Sequence, residues 1–197
     1  MIKGVIFDMD GTITVPYIDW KALRAEIGAE PNRTIIEYIE SLGGDKGAWA
    51  MGVLEAWENE AALNSELNHG LQELLSVLRT RGIRTALVTN SNRRAVELVM
   101  KKHGLTFDVV LSREDGEIKP SADLIEKAMV RLGLPREDLV VIGDGRYDLE
   151  ASHRAGVSFI LLKHPDYALE HTPMIRSLAE APDLIFNTGQ GVAGSKE

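Results

Sequence analysis

The sequence predicts an α/β fold in which a doubly wound, mostly parallel sheet carries helices on both faces. Short apolar runs rich in β-forming residues alternate along most of the 197-residue chain with amphipathic segments of helical length. This alternation is typical of parallel sheets, because a helix usually makes the crossover between neighbouring strands. The interval 15–66 departs from it and shows only helical patterns, which predicts a small all-helical insertion after the first strand.

Six apolar runs are predicted to form the strands. The first lies within residues 2–7, ends in the letters GVIF, and is too short and too rich in β-formers for a helix. The remaining runs are TALVTN (85–90), DVVL (108–111), LVVIGD (139–144), SFILL (158–162) and DLIF (183–186).

Three amphipathic segments between these runs carry helix start and stop signals. Asn68, Asn92 and Ser121 are predicted N-caps, because a side-chain oxygen there can accept the free N–H groups of a first turn. A glycine is expected to end each of these helices. The three predicted stops are Gly82, Gly104 and Gly133.

The insertion contains three helical patterns separated by the turn signals GAEPN and GGDKG. All three tryptophans lie within it, either as the core of a small helical unit or, for one of them, as the lining of a substrate pocket. We therefore predict a core formed by residues 1–14 and 67–187 and an insertion over 15–66. The segment 188–197 lacks an apolar period and is predicted to be a loose tail.

Composition narrows the possible partners. A formal net charge of −8 argues against nucleic acid and anionic membranes as general partners. The absence of cysteine excludes a disulfide framework and fits a cytoplasmic protein. No apolar stretch approaches the roughly 20 residues of a membrane span, and the N-terminus lacks the layout of a signal peptide.

Four carboxylates are predicted at one edge of the sheet. Asp8 and Asp10 follow the first strand, Asp144 ends LVVIGD, and Asp148 lies one helical turn further on. The carboxyl ends of parallel strands share one edge, where ligands bind in open α/β sheets. Because such a cluster repels itself unless a cation is present, it predicts a Mg²⁺ site with oxygen ligands.

Groups suited to an anion are predicted at the same edge. Thr89 and Asn90 end the TALVTN run, and Lys119 precedes a helix. Together with free N–H groups at helix starts, they can hold a phosphoryl group. A metal, a lysine and paired carboxylates match phosphoryl transfer, in which positioning and charge neutralisation supply most of the catalysis.

Other interpretations of single motifs are weaker. Two aspartates after a strand can be turn chemistry alone. Asp8, Asp10 and Thr12 have the first ligand spacings of an EF-hand, but Ile13 stands where that loop needs glycine, and a strand precedes it.

The motifs DMDGT, TNS, the lysine of IKP, and GDGRYD, in this order, resemble the four motifs of haloacid dehalogenase superfamily phosphatases. The resemblance covers residues 1–14 and about 67–187 and implies a Rossmann-like core. The insertion is placed like the type-1 cap of that superfamily, and is called the cap below. The segment that re-enters the core, LNHGLQELLSVLRTRGIRTALVTNSN, resembles phosphoglycolate-phosphatase-like members.

The resemblance implies a role for each matching residue. Asp8 would be the nucleophile that forms an aspartyl-phosphate. Asp10 would protonate the leaving oxygen and then deprotonate the hydrolytic water, which requires a raised pKa. The Mg²⁺ ligands implied are Asp8, the Asp10 carbonyl, Asp144 and, directly or through water, Asp148. The phosphate-binding residues implied are Thr89, Asn90 and Lys119.

Alternative functions remain open at this point. A phosphomutase of the same superfamily would carry a histidine shortly after the first motif, whereas the first histidine here is His69. A phosphoacceptor module would place its aspartate after a middle strand, and a non-catalytic phosphate-binding protein would lack a catalytic residue. The five histidines show no metal-ligand spacing and are each expected to have a surface or structural role.

The expected partner is a small phosphorylated metabolite, with phosphoglycolate suggested by resemblance alone. Small acids, sugar phosphates and nucleoside monophosphates all stay possible, and the choice between monomer and homodimer is open. A second anionic group on the substrate would need a basic partner. The candidates are Lys21, Arg24, Arg33, Lys46, Arg93 and Arg94.

Overall fold

A computed structural model of the chain describes residues 1–30, 33–165 and 167–186. Its sheet has six parallel strands in the order β3-β2-β1-β4-β5-β6, which confirms the predicted α/β class. The strands are β1 (Gly4–Phe7), β2 (Arg84–Val88), β3 (Val109–Leu111), β4 (Leu139–Gly143), β5 (Ser158–Leu162) and β6 (Met174–Ile175).

Helices cover both faces of this sheet. One apolar cluster packs β-strand side chains against α4, α5 and α8, and a second packs the other face against α6 and α7. The helices are α1 (Trp20–Ile27), α2 (Ile35–Leu42), α3 (Gly44–Asn64), α4 (Leu71–Thr80), α5 (Arg93–His103), α6 (Asp123–Leu132), α7 (Arg146–Ala155) and α8 (Ala181–Phe186). None of these helices is long and apolar enough to cross a membrane.

The strand order brings three loops to one place. β1 pairs in parallel with β2 on one side and with β4 on the other. The chain order therefore changes direction beside β1, which is the position where open α/β sheets bind ligands. Residues that follow β1, β2 and β4 meet beyond the carboxyl ends of these strands.

Helices α1, α2 and α3 lie between β1 and α4, where the helical insertion was predicted. They enclose an apolar cluster of their own. The chain leaves and re-enters the sheet region side by side, since Val15 N donates to Glu66 O at 2.9 Å and Thr14 bridges Leu67. Residues of the predicted tail lie outside the described residues.

The tryptophans of the cap have different environments. Trp57 packs against the cap cluster, and its Nε1 donates to Glu26 Oε2 at 2.9 Å. Trp20 and Trp49 are 42% and 54% exposed. The three tryptophans therefore do not form a common core of the cap, and the exposure of Trp20 is not accounted for by a core role.

The prediction of a strand at DLIF is wrong, because these residues lie in α8. Ala181 and Ile185 lie on one helical face against the first apolar cluster, so the run is buried by a helix. The sixth strand is instead β6, which pairs Met174 with Leu161 and Ile175 with Leu162. Two residues are too few to produce a periodic pattern.

The predicted helix caps are partly confirmed. Asn92 caps α5, since its Oδ1 accepts a hydrogen bond from Ala95 N, and glycines 104 and 133 cap the ends of α5 and α6. Asn68 does not cap α4, whose N-cap is Gly70. α6 begins at Asp123 after Ala122, while Ser121 Oγ accepts the Asp123 N–H at 3.3 Å. α4 ends with Arg81 as its cap, one residue before Gly82.

Candidate active site

Three buried carboxylates meet beyond the sheet. Asp8 directly follows β1, Asp144 directly follows β4, and Asp148 lies in the first turn of α7. Each offers a carboxylate oxygen, and the three oxygens lie within 4.8 Å of one another. The structure therefore brings together three of the residues predicted to bind Mg²⁺.

Gly11 lets the loop after β1 pass close to these carboxylates. Its φ of +85° is in the left-handed region, and a Cβ there would lie 2.1 Å from Asp144 Oδ2. Asn68 fixes the same loop, because its Nδ2 donates to the carbonyls of Gly11, Thr12 and Thr14 at 2.8–3.1 Å. This role replaces the helix cap predicted for Asn68.

Lys119 is buried among the carboxylates, with 4% of its surface exposed. Its Nζ donates to Asp8 Oδ1 and Asp148 Oδ1, both at 2.5 Å, and to Val88 O at 3.0 Å. Burial acts to lower the pKa of Lys119, but the carboxylates of Asp148 and Asp8 outweigh burial and raise this pKa above its usual value. Lys119 therefore stays charged between two of the acids.

One lysine cannot neutralise the negative charges of three buried carboxylates. Burial, followed by the charge of Asp148, raises the pKa of Asp8 to about 7, against the opposing effect of Lys119. Burial and the charges of Asp8 and Asp148 raise the pKa of Asp144 to about 9. With all three acids ionised, the cluster and Lys119 carry two uncompensated negative charges. A divalent cation with a preference for oxygen ligands fits this site, and Mg²⁺ is such a cation.

Asp10 lies beside the cluster and is hydrogen-bonded to a residue that sequence reasoning missed. Ser91 Oγ donates to Asp10 Oδ2 at 2.5 Å. Burial raises the pKa of Asp10, while the hydrogen bond from Ser91 and the charge of Lys119 oppose the rise. The signal for Ser91 was its place in the TNS motif, directly after two predicted site residues.

Thr89 and Asn90, predicted to bind phosphate, follow β2 at the site. Thr89 is buried, and its Oγ1 accepts a hydrogen bond from Ser91 N at 3.0 Å. Asn90 and Lys119 exchange two hydrogen bonds of 2.8 Å, from Asn90 Nδ2 to Lys119 O and from Lys119 N to Asn90 Oδ1. The side chain of Asn90 therefore positions the lysine.

A second missed residue, Glu58, connects the cap to the core. It lies on α3 and is 4% exposed. Glu58 Oε1 accepts from Arg113 Nη1 at 2.7 Å, and Oε2 accepts from Asn92 Nδ2 at 2.5 Å and from Asn92 N at 3.2 Å. Burial raises the pKa of Glu58, although Arg113 and Asn92 oppose this. Its position four residues after buried Leu54, on the same helical face, was the available signal.

His164 also reaches the site, although each histidine was expected to have a surface or structural role. It follows β5, and its Nε2 lies 2.6 Å from Gly11 O and 3.9 Å from Asp144 Oδ2. The contact with Gly11 supports the loop after β1, so a structural role fits it. Its place beyond the carboxyl end of a parallel strand could have indicated the site.

A cavity of about 430 Å³ opens above these residues, between the sheet edge and the cap. All seven predicted site residues line it, as do Ser91 and Glu58. Of the six basic residues considered for a second substrate anion, Arg24 alone is among the described lining residues. The cap contributes mostly apolar and aromatic side chains to this lining.

Comparisons with known proteins identify relatives of this chain. A family model described as haloacid dehalogenase-like hydrolase matches residues 14–162. A haloacid dehalogenase-like hydrolase domain-containing protein of Arabidopsis thaliana is 26% identical over 206 residues, covering 91% of this chain and 84% of that protein. Pyrophosphatase PpaX of Bacillus cereus is 32% identical over 173 residues, covering 79% of this chain and 80% of that protein.

A solved structure shows the same fold. The structure of a predicted phosphoglycolate phosphatase from Haemophilus somnus has a TM-score of 0.72 at 18% identity, covering 93% of this chain and 97% of that chain. The range matched by the family model begins after Asp8 and Asp10. The placement of these two residues therefore rests on the geometry described above.

Proposed function

Because the chain belongs to the haloacid dehalogenase-like hydrolase family, we propose that it is a Mg²⁺-dependent phosphatase that hydrolyses a small phosphomonoester through an aspartyl-phosphate. One observation carries this proposal. Asp8, Asp144, Asp148 and Lys119 form a buried cluster that faces a cavity, with Asp10 beside it. Phosphoryl transfer needs charge neutralisation and positioning around one nucleophile, and this cluster supplies both.

In the first step, an oxygen of Asp8 attacks phosphorus, and the bond from phosphorus to the leaving oxygen breaks. Asp8 must be ionised to attack, and the hydrogen bond from Lys119 favours its ionised form. The same lysine neutralises part of the charge on the phosphoryl group. Asn90 holds the backbone on both sides of this lysine in place.

Asp10 handles the protons of both steps. Burial raises its pKa, which favours the protonated form that a proton donor to the leaving oxygen requires. It then accepts a proton from the water that attacks phosphorus, the bond to Asp8 breaks, and inorganic phosphate is released. Ser91 orients the carboxyl group through its hydrogen bond to Oδ2.

The metal ligands proposed are Asp8, Asp144 and Asp148, together with the backbone carbonyl of Asp10. When bound there, Mg²⁺ supplies positive charge to the phosphoryl oxygens and to the attacking carboxylate. The Bacillus cereus relative is named a pyrophosphatase. Pyrophosphate is therefore a further candidate substrate, alongside phosphomonoesters.

The test measures phosphate release from a panel of small phosphomonoesters and pyrophosphate, with Mg²⁺ or with chelator. We expect release that requires Mg²⁺ and that falls by a factor of about 10³ or more in Asp8→Asn. Asp8→Asn changes few atoms, so circular dichroism should show an intact fold. Near-normal rates in Asp8→Asn would contradict the proposal, as would a folded wild-type chain that hydrolyses nothing in the panel.

A further inference from the structure

The cavity has two chemically different ends. The end at the sheet carries the four aspartates, Lys119 and the polar residues that follow β2. The end formed by the cap is lined mostly by apolar and aromatic residues, with Arg24, Thr34 and Glu58 as its polar members. The apolar and aromatic residues include Tyr17, Ile18, Trp20, Ile35, Ile36 and Leu54. A phosphoryl group held by the polar end would direct the rest of the substrate towards this apolar end.

Several aromatic side chains at the cavity are exposed. Tyr17 is 51% exposed, Trp20 42% and Tyr147 37%, although each lines the cavity. Burial of exposed apolar surface is favourable, and aromatic rings gain further from stacking on a flat partner. An aromatic group placed between these side chains would cover surface that is now exposed.

The cationic side chains at the cavity already contact acceptors of this chain. Among the described lining residues, the cationic side chains are Lys119, Arg24 and Arg146. Lys119 contacts three acceptors, and Arg24 donates through Nη1 to Glu30 O at 2.8 Å and through Nη2 to Arg33 O at 3.0 Å.

Arg146 pairs with Glu150 at 2.5 Å, and its side chain is 76% exposed. Glu58 adds a further carboxylate to the cavity wall. A carboxylate or second phosphate on the substrate would share these cations with the acceptors that they already contact, whereas an uncharged group needs no cationic partner.

We propose that the leaving group of the substrate is uncharged and aromatic, and that Trp20 and Tyr17 contact it. This inference rests on the proposed function and specifies its substrate class. It disfavours phosphoglycolate and pyrophosphate, whose leaving groups are anionic. The cavity volume of about 430 Å³ leaves room for a ring beside a phosphoryl group.

The first test compares benzyl phosphate with phosphoglycolate. Both are esters of primary alcohols, so the main difference is a phenyl ring in place of a carboxylate. We expect kcat/KM for benzyl phosphate to exceed that for phosphoglycolate by about tenfold or more. Trp20→Ala and Tyr17→Ala should each reduce this ratio, mainly through KM.

Trp49→Ala is the matched control, because Trp49 is an exposed tryptophan of the cap outside the described cavity lining. It should leave the ratio unchanged, and circular dichroism checks that every variant is folded. A preference for phosphoglycolate would overturn the inference. So would a ratio that is the same in the wild type, Trp20→Ala and Tyr17→Ala.

A second measurement separates this inference from the proposed function. Calorimetry compares binding of 2-phenylethylphosphonate and 3-phosphonopropionate, which cannot be hydrolysed, to the Mg²⁺-loaded chain. About tenfold tighter binding of the aromatic compound, reduced in Trp20→Ala, supports the inference even if no ester is hydrolysed and the proposed function fails. Equal binding of the two compounds, or no binding of either, overturns it.

Discussion

Asn90 and Lys119 are joined by two hydrogen bonds of 2.8 Å, one in each direction between the Asn90 amide and the Lys119 backbone. The lysine whose Nζ contacts Asp8 and Asp148 is thus fixed at its backbone by a residue that follows β2. This arrangement indicates a positioning role for the Asn90 side chain, while direct phosphate binding by Asn90 stays a prediction.

Asn90→Ala should therefore lower both stability and activity. It leaves two backbone groups of Lys119 without partners, and we expect a loss of about 1–3 kcal/mol in the free energy of unfolding. Displacement of the lysine should lower kcat by about 10- to 100-fold. Urea denaturation and steady-state kinetics measure the two effects.

Asn90→Asp is a second variant, which keeps the acceptor for Lys119 N but puts a carboxylate oxygen in place of the donor to Lys119 O. That oxygen repels the Lys119 carbonyl and adds a negative charge near the acids, so Asn90→Asp should not restore wild-type stability or kcat. A rise in KM for every substrate with unchanged stability would instead indicate direct phosphate binding.

Ser91→Ala should shift the pH dependence of the first chemical step. The hydrogen bond from Ser91 lowers the pKa of Asp10, so its removal lets burial raise that pKa further. If Asp10 is the general acid, the basic limb of the kcat/KM profile moves to higher pH, and maximal kcat falls by about tenfold. Ser91→Thr keeps the hydroxyl, so the basic limb of its pH profile should match that of the wild type. A basic limb that does not move in Ser91→Ala would contradict the assignment of Asp10 as the general acid.

The stability of the metal-free chain should fall as the pH rises. Folding raises the pKa of Asp8 from 3.8 to about 7 and that of Asp144 from 3.8 to about 9. The folded state therefore holds more protons than the unfolded state. This stabilising contribution is fully present below about pH 4 and is lost as the pH passes 7 and then 9.

Mg²⁺ should reverse this loss. Thermal unfolding at pH 5.5 and 8.5, in chelator and in excess Mg²⁺, should show a metal-induced rise of about 5–10 °C at the higher pH and a smaller one at the lower pH. Asp144→Asn should flatten the pH dependence in chelator. Equal Tm values with and without metal at pH 8.5 would contradict the proposed ligand set.

Part of the stability that Glu58 contributes should depend on Arg113. Glu58→Ala leaves the guanidinium of Arg113, whose side chain is 10% exposed, without its closest carboxylate. We expect a loss of about 3–5 kcal/mol in the free energy of unfolding. The pair Glu58→Leu and Arg113→Met should recover the part of this loss that comes from the unpaired guanidinium, while Asn92 N and Nδ2 still lack their acceptor.

Urea denaturation of Glu58→Leu, of Arg113→Met and of the double variant measures this coupling directly. Additive losses would show that the two side chains do not depend on each other. Glu58→Gln keeps the side-chain volume and removes the charge, so it separates the ion pair from packing.

The sequence predicted the sheet and the gathering of the acids because both depend on short-range patterns. Buried parallel strands are continuous apolar runs, and their carboxyl ends share an edge, which brings Asp8 and Asp144 together. A helix of six residues at Ala181–Phe186 has no such pattern, since its apolar run fits either a strand or a helix.

The roles of Asn90, Ser91 and Glu58 could not be predicted in the same way. Each depends on a partner far along the chain, such as Asp10 for Ser91 and Arg113 for Glu58. Spacing along one segment does not reveal such pairs. Polar residues at a strand end or on a buried helix face indicate only that some partner is required.

The two ends of the cap lie side by side and are joined by a hydrogen bond, which Val15 N donates to Glu66 O at 2.9 Å. An insertion whose two ends lie side by side can change in length and sequence without moving β1 or α4. The reason is that the entropy of closing a loop grows slowly with loop length. We therefore expect that another helical unit could replace the cap, provided that contacts such as the one between Glu58 and Arg113 are kept. Such an exchange would change the choice of substrate and leave the proposed chemistry at the sheet edge in place.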